Sequence, residues 1–132
     1  MRLLRTVLYL QAAVYALAGA ALAALPRFVV TTMFGQVHYS EYAWVRVTGL
    51  EALGLAMFMV LVAQRAPEVW WWSWAFVLPT LLITVVAAAN ALVGLPEGSS
   101  GVLWWILAVV NAAFTAALIL GLARTGQERP LP

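Results

Sequence analysis

The sequence contains no cysteine, no lysine and no aspartate, and its one histidine is His38. The absence of cysteine excludes disulfides, thiolate metal ligands and a cysteine nucleophile. One histidine cannot form a histidine pair for zinc or a bis-histidine haem site within this chain. These absences predict no metal, no cofactor and no catalytic residue set in the chain alone.

Charge is also scarce. Charged side chains make up only 9% of the 132 residues, whereas hydrophobic residues make up 65%. A soluble domain carries roughly a quarter charged residues, so this chain could not cover a soluble core, and lipid has to replace water around it. The seven arginines are scattered and form no basic patch. We therefore predict the lipid bilayer as a partner and exclude nucleic acid.

Four apolar runs of about 20 residues each are long enough to cross a hydrocarbon core about 30 Å thick as α-helices. They cover residues 3–25, 43–63, 71–93 and 102–122. Helices satisfy their own backbone groups in lipid, and no period-two alternation indicates a barrel. The prediction is an all-α fold, a four-helix transmembrane bundle in a single domain over residues 1–132, with the polar tail 125–132 outside the membrane.

The first run has features of a signal peptide, because Arg2 and Arg5 lie at its start and Ala21-Leu22-Ala23 lies near its end. The apolar stretch of a signal peptide is roughly 7–15 residues long. The stretch here is longer, so we expect it to be retained as the first transmembrane helix.

The arginines are distributed unequally between the two ends of these helices. Four crossings place both chain termini on one side together with five arginines, whereas Arg27 and Arg46 lie on the other side. Because cytoplasmic loops are enriched in Arg and Lys, the N and C termini are predicted to be cytoplasmic. The expected location is the inner (plasma) membrane, which the chain crosses four times.

The segment between the first two runs, residues 26–41, has an amphipathic pattern. Val30, Met33, Phe34 and Val37 recur at three- and four-residue spacing. This pattern predicts a short interfacial helix lying on the outer membrane surface. An ordered loop with an apolar underside is the alternative.

Three residues near the outer boundary are candidates for a surface site. His38 and Tyr39 lie in the outer segment, and Arg46 is close to the start of the second run. A solvated histidine and an arginine that snorkels to the headgroups are the ordinary interpretation. The alternative is that these residues border an outward-facing pocket for a quinone or a lipid.

Glu51 is the one acidic residue inside an apolar run. It lies about 12 Å into the second helix at 1.5 Å per residue. A charged side chain such as aspartate costs roughly 2.5–3.5 kcal/mol at the centre of a transmembrane helix. We therefore expect Glu51 to face the bundle interior and find hydrogen-bond partners there, or to stay protonated.

The other helices place polar side chains at similar depth, and together these residues predict a buried polar layer. Its members are Gln11, Tyr15, Thr48, Glu51, Thr80, Thr84, Asn111 and Thr115. The layer is interpreted either as a structural network that ties the helices together or as a site for a ligand, a proton or a lipid. We prefer the structural interpretation.

The residues around Glu51 read Gly49-Leu50-Glu51-Ala52-Leu53-Gly54-Leu55, and the helix ends in Gln64-Arg65. This pattern and the four-segment layout resemble the DoxX-like family of four-helix membrane proteins, in which a second glycine tends to stand where this chain has Leu55. The resemblance implies a helper subunit in a membrane oxidoreductase assembly. It carries over to Gly49, Glu51, Gly54 and Arg65, and it implies no catalytic role for them.

The sequence is compatible with three functions. The first, which we favour, is a non-catalytic accessory or subunit protein that joins other membrane proteins or copies of itself, because the loops are short and nothing resembles an activated nucleophile or a metal cage. The second is a small membrane enzyme or binding protein for a lipid or quinone-like ligand that uses Glu51. The third is a proton-coupled transporter, which requires oligomerisation because four helices with one acid form a thin pathway.

Overall fold

The computed structural model describes residues 1–129 and 131, which form helices and connecting segments and no strand. The α-helices are α1 (Arg2–Ala24), α2 (Ala43–Gln64), α3 (Ala66–Val69), α4 (Trp74–Val93) and α5 (Val102–Glu128). A π-helical turn, Phe28–Met33, follows α1, and a 3-10 turn, Trp70–Ser73, joins α3 to α4. The all-α prediction is confirmed for the described residues.

Among the described residues, four helical stretches are long and apolar enough to cross a membrane. They are α1, α2, the stretch Ala66–Val93 and α5. Only 22–33% of the residues in their apolar windows are buried, so most of their apolar surface faces outward. An apolar surface of this extent marks contact with lipid or with other proteins.

Two helical stretches differ from their predicted bounds by more than one residue at an end. The third run, predicted at 71–93, forms α4 only from Trp74, because α3 and the 3-10 turn come before it. The fourth helix continues past residue 122 to Glu128. Thr125 in this extension is completely buried, and a Cβ built on Gly126 would lie 3.3 Å from the Trp70 ring. The polar tail therefore begins as a packed helix, while its residues 130 and 132 lie outside the described part of the chain.

A short helix does lie between α1 and α2, but its buried side differs from the predicted one. Hydrogen bonds in a π-helix span five residues, so each turn contains more residues than a turn of α-helix. Residues that are three and four positions apart therefore do not stay on one face of the helix. Val29 is the buried residue of the turn, and Met33 is exposed. The turn ends because Gly35 adopts a φ of +64°, a conformation that favours glycine.

The antiparallel helices α1 and α2 approach each other closely at a glycine contact. A Cβ added to either Gly19 or Gly49 would lie 2.6 Å from backbone atoms of the opposite helix. Any larger side chain would push the two helices apart. Further along the pair, Arg5 Nε donates to the Ala63 carbonyl at 3.0 Å.

The main apolar core lies at the end of the molecule that holds both chain termini, which we call the terminal end (residues 1–15, 56–80 and 115–129). Leu8, Met59, Phe76 and Leu118 are completely buried there. The Phe58 ring of α2 lies 5.4 Å from the Phe76 ring of α4. At the opposite loop end (residues 19–51 and 87–107), α2 and α4 do not pack along their lengths, and a cavity remains between the α1–α2 and α4–α5 pairs.

Candidate functional site

Two of the predicted polar residues link α1 to α5. The Tyr15 hydroxyl donates to Asn111 Oδ1 at 3.0 Å, and the Asn111 amide nitrogen donates to the Leu107 carbonyl at 2.9 Å. Both side chains are buried. A buried hydrogen bond between helices stabilises their packing in lipid, and this favours a structural role for the pair.

Three predicted threonines form hydrogen bonds within their own helices. Thr80 donates to the Phe76 carbonyl at 2.9 Å, Thr84 donates to the Thr80 carbonyl at 2.7 Å, and Thr115 donates to the Asn111 carbonyl at 2.8 Å. A hydroxyl has a single hydrogen to donate. None of the three therefore has a donor left for a ligand.

Gln11 is the least satisfied residue of the predicted layer. It is completely buried on α1, one turn from Tyr15, and neither atom of its amide group has a hydrogen-bond partner among the described residues. A buried polar group without a partner costs about 1–3 kcal/mol. Neither atom reaches the accessible surface, so a ligand has no approach to Gln11 in this structure.

The prediction that Glu51 faces the bundle interior is wrong. Its side chain is exposed on α2 and forms no ion pair with another described residue. The reason lies two residues earlier, where Gly49 faces α1 in the glycine contact. At about 100° per residue, Glu51 points about 200° away from Gly49, which is nearly the opposite side of the helix. The glycine contact therefore decides the direction of the acid.

Glu51 also differs in depth from Gln11. A Cβ built on Gly19 would contact α2 between Gly49 and Leu53, so Gly19 is the α1 residue level with Glu51. Gln11 lies eight residues from Gly19 along α1, which is about 12 Å at 1.5 Å per residue. Glu51 therefore does not belong to the buried layer.

Thr48 and Gly54 are exposed on the same outward side of α2 as Glu51. Because it is exposed, Thr48 too lies outside the buried layer, and its hydroxyl donates to the Trp44 carbonyl at 3.0 Å. A Cβ added to Gly54 would meet nothing within 4 Å. We call the surface formed by Trp44, Thr48, Glu51 and Gly54 the Glu51 face.

Two of the three outer-surface candidates lie together at the loop end. His38 and Arg46 line an open cavity of about 770 Å³, which we call the arginine pocket. Arg46 Nη1 donates to the Ala23 carbonyl at 2.6 Å, and this bond holds the guanidinium group above the end of α1. The other residues that matter for its chemistry are Arg27, Thr31, Thr32, Tyr42, Leu25 and Phe28.

Sequence reasoning missed Arg27 and Tyr42 as members of this pocket. A signal for Arg27 was present, because Arg27 follows the first apolar run and Arg46 opens the second. Consecutive antiparallel helices bring these two positions to the same end of the pair. The contribution of Tyr42 depends on the path of the connecting segment, which the sequence pattern does not define.

Tyr39 lines a different cavity of about 320 Å³, which lies between the two helix pairs. The walls are mainly apolar, and Asn90 and Trp104 are among the polar residues. The Asn90 amide nitrogen and the Trp104 indole nitrogen are buried without a partner among the described residues. Since neither nitrogen reaches the accessible surface, the cavity presents an essentially apolar surface.

Within the described part of the chain, no three His, Cys, Asp or Glu side chains form a group that could hold a metal ion. No family model, curated protein or solved structure matches the chain. The resemblance of the second helix to DoxX-like proteins therefore stays a prediction.

Proposed function

We propose that this protein is a non-catalytic subunit or accessory protein of the inner (plasma) membrane that joins a larger membrane complex through the Glu51 face. The observation that supports the proposal most strongly is the outward direction of Glu51. An acidic side chain exposed well inside a mainly apolar transmembrane helix is unfavourable in lipid and favourable against a suitable protein surface.

The depth of Glu51 makes this cost substantial. Glu51 lies eight residues after Ala43, the first residue of α2, or about 12 Å into the helix. A charged aspartate at a helix centre costs roughly 2.5–3.5 kcal/mol on insertion scales. Protonation removes the charge but leaves a polar group that still requires a hydrogen-bond partner. A neighbouring helix with a donor or a cation at this depth would reduce the cost.

On the Glu51 face, a second copy of this chain offers no basic side chain at the depth of Glu51. The nearest arginine along α2 is Arg46, five residues away, which is about 7.5 Å along the helix axis. In a symmetric pair of copies related by an axis along the membrane normal, residues of equal depth meet. Where the two copies meet through the Glu51 face itself, Glu51 would then lie beside the Glu51 of the other copy. A partner of different sequence, with a basic or amide side chain at this depth, is the better complement.

Gly54 leaves room for a partner helix beside Glu51, because nothing lies within 4 Å of a Cβ built there. Small residues let helix backbones approach closely in lipid. Trp44 at the start of α2 is 78% exposed, as expected of an aromatic residue at the membrane boundary. These features support a helix-docking surface that extends from the boundary to the middle of α2.

The proposal includes an orientation with both chain termini in the cytoplasm. Five arginines lie at the terminal end and two at the loop end, and the larger group comprises Arg2, Arg5, Arg65, Arg124 and Arg129. The positive-inside rule favours the cytoplasm for the end with more arginines. The loop end, with the arginine pocket, then faces the outside.

Purification from native membranes in mild detergent tests the subunit proposal. Wild-type protein is expected to elute in a larger assembly that contains a second membrane protein, identified by mass spectrometry. Glu51→Leu removes the polar group and is expected to lose most of the partner, whereas Glu51→Gln retains hydrogen bonding and part of the partner. Glu97→Leu is the matched control, because Glu97 is an exposed acid in the α4–α5 connection.

Two results would contradict the proposal. One is wild-type protein that elutes alone as a single monodisperse species. The other is Glu51→Leu protein that retains its partner as well as the Glu97→Leu control does. An assembly containing only copies of this chain would refute the heteromeric form of the proposal.

A second candidate function, lipid binding, is favoured by the arginine pocket. Glu51 lines neither of the two loop-end cavities. Binding in these cavities would therefore not use Glu51 as its acid or receptor.

A further inference from the structure

The arginine pocket is positively charged. No carboxylate lines it, and the ion pairs that the described residues form both lie at the terminal end. Arg27 and Arg46 are therefore not neutralised by an acid within the described chain. Glu41, the nearest acid in sequence to Arg46 on the loop side, does not line the cavity.

The carbonyl end of α1 lies beside the pocket and partly opposes this charge. The terminal carbonyl groups of a helix carry roughly half an elementary negative charge. The bond from Arg46 to the Ala23 carbonyl satisfies one of these groups and uses one of the guanidinium N–H donors. The remaining donors of Arg46 and the full charge of Arg27 leave the pocket positive.

The uncharged residues add donors of the kind that an oxygen-rich anion requires. The Tyr42 oxygen accepts a hydrogen bond from the Tyr39 backbone N–H at 3.3 Å, so its own hydrogen remains available. Thr32 is exposed at the pocket, while the Thr31 hydroxyl donates to the Arg27 carbonyl at 2.7 Å. Guanidinium groups and hydroxyls around one cavity match a phosphate, which accepts through several oxygens at once.

The position of the pocket points to a lipid as the carrier of the phosphate. The pocket lies where α1 ends and α2 begins, which is the headgroup level for helices that cross a bilayer. Leu25 and Phe28 line it and are 59% and 51% exposed. Apolar side chains beside the arginines suit the glycerol and first methylene groups of a phospholipid, whereas free phosphate has no apolar part to occupy them.

We propose that the arginine pocket binds the phosphate group of an anionic phospholipid, with Arg27 and Arg46 as the charged contacts. Basic residues close to a membrane surface favour anionic over neutral lipids. The site is separate from the Glu51 face, so lipid binding and subunit association are testable independently of each other.

Native mass spectrometry of the detergent-purified full chain tests the proposal with three probes added separately: phosphatidylglycerol, phosphatidylcholine and inorganic phosphate. Phosphatidylglycerol is expected to bind more tightly than phosphatidylcholine, and inorganic phosphate is expected to show no retention. Arg27→Gln is expected to lower the affinity for phosphatidylglycerol about fivefold, the contribution of one basic residue near a membrane surface.

Two further variants separate charge from folding. Arg46→Gln is expected to weaken binding as Arg27→Gln does, while Arg46→Lys keeps the charge and is expected to retain most of the affinity. Arg124→Gln is the control, because Arg124 is an exposed arginine at the terminal end, outside the pocket. Its affinity for phosphatidylglycerol is expected to equal that of the wild type.

Three outcomes would overturn the proposal. Equal affinity for phosphatidylglycerol and phosphatidylcholine would remove the preference for an anionic lipid. Equal losses in Arg27→Gln and Arg124→Gln would show a general effect of surface charge. Inorganic phosphate that binds as tightly as phosphatidylglycerol would assign the pocket to a soluble anion.

Discussion

At the terminal end the long helices share one apolar core, in which Met59, Phe76 and Leu118 are completely buried. At the loop end, α1 and α2 contact each other through Gly19 and Gly49, but the α4–α5 pair stands apart from them. The π-helical turn occupies part of the gap and leaves a cavity of about 320 Å³. The same helices therefore form a packed core at one end and two separate pairs at the other.

The residues that stabilise the fold by packing lie mainly at the terminal end, whereas the residues available for binding lie at the loop end. At the terminal end, Phe58 joins α2 to the 3-10 turn and to α4, because its ring lies 5.9 Å from that of Trp72 and 5.4 Å from that of Phe76. No comparable aromatic cluster joins α2 to α4 among the described residues of the loop end. The arginine pocket and the outward side of Glu51 both lie in the less tightly packed half.

The largest effect that this comparison predicts is the loss of stability on truncating Phe76. Phe→Ala in a soluble core costs about 3–5 kcal/mol, and we expect about 3 kcal/mol here because unfolded helices remain in hydrocarbon. Phe34→Ala is the matched variant at the loop end, where a half-buried ring lies 4.9 Å from that of Trp104. It is expected to cost about 1 kcal/mol, close to the value of an aromatic pair. Unfolding in mixed detergent and SDS compares the two, and equal losses would mean that both ends are packed alike.

The next effect concerns the glycines on the two sides of α2. Gly49→Ala places a Cβ 2.6 Å from α1 backbone atoms, and we expect it to destabilise the protein by about 2 kcal/mol, within the range of overpacking. Gly54→Ala adds a methyl group in open space and is expected to be neutral or to stabilise the helix by up to about 1 kcal/mol. The same unfolding assay measures both. Equal stabilities would contradict the close approach of α1 and α2.

The smallest predicted effect tests the hydrogen bond at the middle of the bundle. Tyr15→Phe removes the donor to Asn111 and is expected to cost about 0.6 kcal/mol, the average for hydrogen bonds between transmembrane helices. Tyr9→Phe is the control, because Tyr9 is 43% exposed and lies outside the core. If both variants have the same free energy of unfolding, the bond between α1 and α5 does not stabilise the fold.

Much of the helical layout could be predicted, because apolar length and helix breakers are local properties. The second run was predicted at 43–63, and α2 spans Ala43–Gln64. The extension of α5 was missed because its polar sequence hides the burial of Thr125 at the terminal end. The short helix between α1 and α2 is predicted, but its π-helical type is not, because the apolar spacing alone does not distinguish a π-helix from an α-helix.

The candidate site was predicted less well, for a geometric reason. Counting residues along the helices correctly predicts that Tyr15 and Asn111 lie close together. It does not give the relative depth of residues on different helices, because Glu51 lies level with Gly19, about 12 Å from the level of Gln11. Direction around a helix depends on which neighbour it packs against. Glu51 was therefore assigned to the wrong side, and the union of Arg27 with His38 in one pocket was not foreseen.

Residue composition is enough to identify four stretches that are long and apolar enough to cross a membrane, because the free energy of a segment in lipid is close to a sum over its residues. The outward direction of Glu51 depends instead on how the helices pack against one another. A step of about 100° per residue ties every side chain of a helix to the one that contacts its neighbour. Here that residue is Gly49, which lies against Gly19, and a contact between distant parts of the chain cannot be read from either segment alone.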